Sequence, residues 1–146
     1  MNEASSQDVL VRSTQLPWIP MEPGTWFKLL RLDEETGIWS ALVRMEAGAS
    51  FGPHQHLGPA EFFVLQGALH YRGGVACEGD YGYEPTGVEH HSTTCHEETL
   101  FTFTVYGPMA YLRPDGSTSW VLDAAFIQRH VAEHLAGQAR KGQEAA

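Results

Sequence analysis

His54-Gln55-His56, followed by Leu57-Gly58-Pro59-Ala60-Glu61 and the apolar run Phe62-Phe63-Val64-Leu65, is the stretch that decides how this chain folds. Alternate residues of a strand point to the same side, so His54 and His56 offer two imidazoles to one point while Gln55 faces away. That is a metal-ligand arrangement. Five residues separate Gly48 from the first histidine, and Gly67 closes the block. A second block reads Gly79, five residues, Pro85-x-Gly87, two residues, and a third imidazole at His90. Pro85 and Gly87 suit a turn that returns His90 to the first pair, and Pro53 stiffens the entry to the strand. Glu61 has two readings. As a ligand it completes a nitrogen-and-oxygen set for iron, manganese or nickel; as a neighbour it orients an imidazole by accepting its free N–H.

Outward from that block, the pattern is one of short strands. Trp26 to Ala47 reads as two strands around Asp33-Glu34-Glu35-Thr36-Gly37, a hairpin turn whose glycine accepts positive φ, with Trp39, Ala41, Val43 and Met45 on one face. Further strands are expected near 60–72, 81–84, 90–94, 98–106, 109–113 and 118–122, each bounded by glycine, proline or aspartate. Regular spacing of this kind predicts an all-β sandwich or barrel. Phe101, Phe103 and Val105 give one of these strands a strongly apolar face. On the amino-terminal side, Leu16 to Gly24 mixes aromatics and prolines as an ordered extended lead-in does, pinned by Trp18 and Trp26, while residues 1–15 are expected to be flexible. Asp123 caps a short C-terminal helix through Ala124, Ile127, Val131 and Leu135, which Gly137 is expected to stop, leaving 137–146 as a disordered tail.

With 146 residues and 42% hydrophobic content, the chain has material for one domain with a buried core. A formal net charge of -9 opposes binding to nucleic acid or an anionic membrane, because no basic patch offsets it. The opening Met1 to Leu10 is polar and unlike a secretory signal, and no apolar run approaches membrane-spanning length, so a cytoplasmic location is expected. Cys77 and Cys95 read as free thiols of the small buried kind. His70 and His91 read as structural or solvent-facing, His96 as part of a polar loop, and His130 with His134 as an exposed helical pair. No Ser-His-Asp order, P-loop or dinucleotide fingerprint is present.

Together the two histidine blocks resemble the paired motifs of the cupin superfamily, except that Thr94 stands where an asparagine is usual. Residues from about Thr25 to Val121 are similar to the acetylacetone-cleaving dioxygenases and their dihydroxyacetophenone-type relatives, above all in His54 to Phe63, Tyr71-Arg72-Gly73-Gly74 and Gly107-Pro108-Met109. The resemblance implies a cupin β-barrel, a double-sheet jelly roll, over 16–136. It also implies a mononuclear non-haem Fe(II), or Zn, Ni or Mn in its place, held by His54, His56 and His90. In that family the glutamate matching Glu61 does not bind the metal. Glu84 and Arg72 fall on two polar positions of the family site and are expected to orient ligands and substrate; Phe51, Phe62 and Phe101 are expected to line the substrate pocket. The implied reaction cleaves a carbon–carbon bond of a β-diketone or similar enolisable or hydroxy ketone with O2, inserting both oxygen atoms. A homodimer or homotetramer is expected by the same analogy. Two other classes stay open: a zinc-binding cupin sensor of the anti-sigma-factor type, and a different metal-dependent cupin enzyme.

Overall fold

Trp39, Ala41, Val43 and Met45 do share a face: all four are buried along one side of β3 (Trp39–Met45) in the computed structural model, which describes residues 8–145. β3 lies inside a six-stranded antiparallel sheet with β1 (Ile19–Pro20), β2 (Thr25–Leu32), β12 (Thr99–Val105), β6 (Ala60–Gln66) and β9 (Tyr81–Glu84), in the order β1-β2-β3-β12-β6-β9. A four-stranded sheet, β10 (Glu89–His90), β5 (His54–His56), β13 (Met109–Leu112) and β14 (Thr118–Leu122), carries the histidines. A second one joins β4 (Ser50–Phe51), β11 (Thr93–Thr94), β7 (Ala68–Tyr71) and β8 (Gly74–Cys77). These layers have the jelly-roll arrangement expected of a cupin, although backbone hydrogen bonds do not close them into one continuous barrel.

Register carries the site residues inward. Val105 pairs with Trp39 on one side and Ala60 on the other, and Ala60 pairs with Glu84, so Trp39, Val105, Ala60 and Glu84 form one buried row across four strands. The next row contains Ala41, Phe103, Phe62 and Gly82. Gly82 is a glycine for a steric reason: a Cβ there would meet Phe62 Cζ at 2.2 Å, so the tip of the ring occupies the space a side chain would need. Because side chains alternate along β6, Ala60, Phe62 and Val64 face inward and Glu61 faces out.

The turn of Asp33 to Gly37 forms as expected, with the Asp33 carboxylate accepting the N–H groups of Glu35 at 2.9 Å and Thr36 at 3.2 Å. The lead-in is held on the outer face of the large sheet. Lys28 and Arg44 sit 4.7 and 5.0 Å from the Trp18 ring, and Arg44 lies 4.7 Å from Trp26. Of the segment expected to be flexible, residues 1–7 fall outside the described residues, and Ser13–Gln15 forms a 3-10 turn.

The C-terminal helix departs from expectation in length. Asp123 caps it by accepting the Phe126 N–H at 2.8 Å, but α1 spans Ala124–Glu144 and runs through Gly137. An interior glycine costs a helix only about 1 kcal/mol. The good helix formers on both sides, Ala136 and Gln138 to Lys141, offset that penalty, so the stretch expected to be a disordered tail is helical. His130 anchors the helix, its ring N–H donating to the Pro20 carbonyl at 2.7 Å. Cys95 is buried as expected, whereas Cys77 is exposed; both are free. No helix among the described residues is long and apolar enough to cross a membrane.

Candidate metal centre

β5 supplies His54 and His56, and β10 pairs with it so that His90 lies opposite His54. The Pro85 to Gly87 turn makes this pairing. Gly87 takes φ 89°, a left-handed conformation that admits glycine readily, and its N–H donates to the His56 carbonyl at 2.7 Å; the His56 N–H in turn donates to Val88 at 2.9 Å. The three imidazole centroids lie 5.2, 5.1 and 5.1 Å apart, an almost equilateral triangle, and one ring nitrogen from each residue lies within 4.8 Å of the others. All three side chains are buried.

Hydrogen bonding identifies which nitrogens are available. Nδ1 of His54 is 2.9 Å from the Gly52 carbonyl, which can only accept, so Nδ1 carries the proton and Nε2 keeps a free lone pair. Both nitrogens of His56 and of His90 are buried with no hydrogen-bond partner. A buried polar atom left in that state costs about 1–3 kcal/mol. A divalent cation among the three rings removes part of that cost, and neutral imidazole is a good donor to first-row ions. The residues present therefore fit a metal.

Glu84 reaches this cluster from the opposite sheet. Its Oε2 lies 2.9 Å from His56 Nε2 and its Oε1 3.3 Å from His90 Nε2, close approaches that are not hydrogen bonds. Burial is the largest influence on His54 and lowers its pKa to about 4, with repulsion from His56 and His90 adding to the effect and the Gly52 hydrogen bond and Glu84 opposing it. Burial likewise lowers the pKa of His90, against the pull of Glu84. Both rings are thus kept neutral at pH 7, the form that binds metal.

A consequence for stability follows. Between the unfolded histidine pKa of about 6.5 and the folded value for His54, the unfolded chain takes up a proton that the native chain refuses. The contribution is therefore fully present above pH 6.5 or so and is lost as the pH falls toward 4. The thermal midpoint of the metal-free protein is expected to drop between about pH 7 and pH 5; an unchanged midpoint would contradict the burial assigned to these rings.

The remaining expected site residues divide. Glu61 belongs to neither of its expected roles: its carboxylate points outward and accepts the hydroxyls of Tyr81 at 2.6 Å and Tyr106 at 2.5 Å, on the far side of the sheet from the histidines. Counting residues from His56 to Glu61 hides this, because the loop through Gly58 and Pro59 resets the strand register. Phe51, Phe62 and Phe101 all line one largely apolar interior cavity together with His54, Glu84 and Tyr111. Its volume is about 60 Å³, on the scale of a small molecule. Arg72 does not line it. The residue is exposed beside a surface depression shared with Thr86, Gly87 and His91, although its charge reaches His90 and disfavours protonation there. Tyr111 and Trp39 also border the cavity; in the sequence the only signal for this is the inward alternation of Trp39 with Ala41 and of Met109 with Tyr111. His70 and His96 stack on each other at 4.0 Å, and neither they nor His91, His130 and His134 join the buried cluster.

A jelly roll carrying three convergent imidazoles in its interior defines a metal-site cupin, and comparison with known proteins agrees. The chain belongs to the ChrR cupin-like domain family, which it matches over residues 6–110. It is 36% identical over 98 residues to the acetylacetone-cleaving enzyme of Acinetobacter johnsonii, a match that spans 63% of this chain and 63% of that relative. Among solved structures, a candidate acetylacetone dioxygenase from Methylibium petroleiphilum PM1 superposes with a TM-score of 0.78 at 31% identity, covering 84% of this chain and 93% of that one. The acetylacetone dioxygenase of Acinetobacter johnsonii gives 0.79 at 27% identity, over 89% and 93%. The Rhodobacter sphaeroides SigE complex with the anti-sigma ChrR shares the fold, with a TM-score of 0.57 at 20% identity over 64% of this chain and 51% of that one.

Proposed function

We propose that this protein is a mononuclear non-haem Fe(II) dioxygenase that cleaves a carbon–carbon bond of a β-diketone or a similar enolisable or hydroxy ketone. The observation that carries the reading is the triangle of buried imidazoles, with unpartnered ring nitrogens, whose member His54 lines an aromatic cavity. Likeness to acetylacetone-cleaving enzymes supports the substrate class.

His54, His56 and His90 would hold the ion, with the Glu84 carboxylate beside the Nε2 atoms of His56 and His90. Three neutral ligands leave the full double positive charge, which favours an anionic chelating substrate such as an enolate. When bound, Fe(II) supplies the one-electron chemistry through which O2 reacts with an organic molecule, and it polarises the substrate oxygens. Glu84 would take the proton released as the ketone becomes an enolate, holding it on Oε1 or Oε2 beside His56 and His90. Phe51, Phe62 and Phe101 would pack against the carbon skeleton and exclude water. Arg72 would act from outside the cavity, through its charge near His90. The products are a carboxylic acid and a second carbonyl compound that together contain both atoms of O2.

The test is oxygen uptake by the Fe(II)-loaded protein with a panel of β-diketones and hydroxyacetophenones. One O2 consumed per ketone lost is the expected result. Silence across the panel, with zinc tightly retained, would instead favour the second reading, a zinc-holding regulatory cupin of the anti-sigma type, which the family match over residues 6–110 supports. We place the protein in the cytoplasm, a reading supported by its two free thiols. Association into a homodimer or homotetramer is supported by the outer face of β6 and β9, where Phe63, Leu65, Tyr81 and Tyr83 are all exposed.

A further inference from the structure

The lead-in does more than cover a sheet face. Between β1 and β2 the chain turns through Met21-Glu22-Pro23-Gly24, with Met21 N–H donating to the Thr25 carbonyl at 3.0 Å and Thr25 N–H donating to that of Glu22 at 2.9 Å. This turn brings the half-buried Glu22 to a loop thirty residues further on. Its Oε2 accepts the Gly52 N–H at 3.3 Å. The Gly52 carbonyl accepts the Nδ1–H of His54 at 2.9 Å. Tyr111 closes the arrangement: its ring lies 3.9 Å from the position of a Cβ on Gly52 and 5.3 Å from the His54 ring, and it stacks on Trp120 at 4.3 Å. Glu22 and Tyr111 are close enough for each to raise or lower the other's proton affinity.

We infer that Glu22 is a positioning residue for the metal centre: it anchors the backbone at Gly52 through its N–H, and the carbonyl of the same residue, on the other side of its Cα and leading into Pro53, holds His54 in the tautomer and orientation that present Nε2 to the ion. The inference rests on the metal reading of the three histidines. The physical reason is the directionality of the chain Glu22 to Gly52 to His54. A metal-bound imidazole donates its other N–H to a fixed acceptor, and that acceptor is only as fixed as the residue that carries it. His56 and His90 have no such partner for either ring nitrogen, so His54 is the ligand whose orientation is determined before the ion arrives.

Co(II) is the probe, because its visible absorption reports both affinity and ligand geometry. Glu22→Ala removes the acceptor and is expected to weaken Co(II) binding by about 10–100-fold, the usual cost of losing an orienting partner, and to alter the absorption bands. Glu22→Gln keeps an oxygen at the same reach and is expected to restore most of the affinity. Glu22→Asp keeps the charge but falls one methylene short of Gly52 and is expected to bind as weakly as Glu22→Ala. If Glu22→Ala fails to fold, the Gln and Asp variants still separate reach from charge. Thermal midpoints of the metal-free forms provide the structural control, since a purely structural residue would shift them and leave Co(II) affinity untouched. Unmodified affinity and spectra in all the variants would overturn the inference, as would an Asp variant that binds normally beside a Gln variant that does not. Failure of the unmodified protein to bind Co(II) would overturn the metal reading and this inference together.

Discussion

His90→Ala protein is expected to lose stoichiometric metal while keeping its β fold. His90 is 2% exposed and stands at one corner of the imidazole triangle, with both ring nitrogens free of hydrogen bonds. Removing a partner that merely orients a ligand costs about 10–100-fold in metal affinity, and removing a ligand itself costs more. Two imidazoles remain, and two neutral ligands hold a hydrated first-row ion weakly. The substitution deletes no row of the core: β10 is two residues long, and its backbone pairing with β5 does not need the ring. Circular dichroism should therefore be close to that of the unmodified protein, whereas iron or zinc measured after gel filtration should fall to background. Full metal content in the variant would remove His90 from the site.

Glu84→Gln is expected to have the second large effect, this time on turnover. The carboxylate is buried, and its two oxygens approach the Nε2 atoms of His56 and His90. Glutamine has nearly the same shape, so the cavity wall and the row Trp39, Val105, Ala60 and residue 84 should survive. What glutamine cannot do is hold a substrate proton. General-base catalysis contributes about 10²–10⁴-fold, and kcat/KM for a β-diketone should fall by that order while the protein still binds one Fe(II) when the ion is saturating. Presenting the ketone as its preformed enolate at alkaline pH should recover part of the loss. Undiminished kcat/KM at neutral pH would leave Glu84 as a wall residue only.

The elements that the sequence foretold well are those whose information is local. His54 and His56 share a face because strand periodicity is two, and Pro85 with Gly87 announces a turn whose hydrogen bonds to His56 deliver His90. The Asp33 turn, the apolar face of β3 and the Asp123 cap belong to the same kind. Glu61 shows the limit: a fixed count along the chain does not survive an intervening loop, and the alternation Ala60, Phe62, Val64 was the better guide to its outward direction. Strands of two residues, β1, β4, β10 and β11, have no propensity signal of their own and exist because a partner strand pairs with them. Glu22 was illegible for the same reason. Nothing near it in the chain predicts that its oxygen meets Gly52, a contact that only the tertiary fold creates. Gly137 does not stop the helix, since one glycine is a small cost in a run of good helix formers.

All of the proposed chemistry depends on one divalent ion bound by three ring nitrogens. X-ray absorption on protein purified without added metal, with elemental analysis of the same sample, tests this most directly. One first-row ion per chain is predicted, with an imidazole shell of three nitrogens at about 2.0–2.1 Å if the ion is zinc. A chain that holds no ion under these conditions and after Fe(II) or Zn(II) loading, or an ion whose shell lacks imidazole, would contradict it.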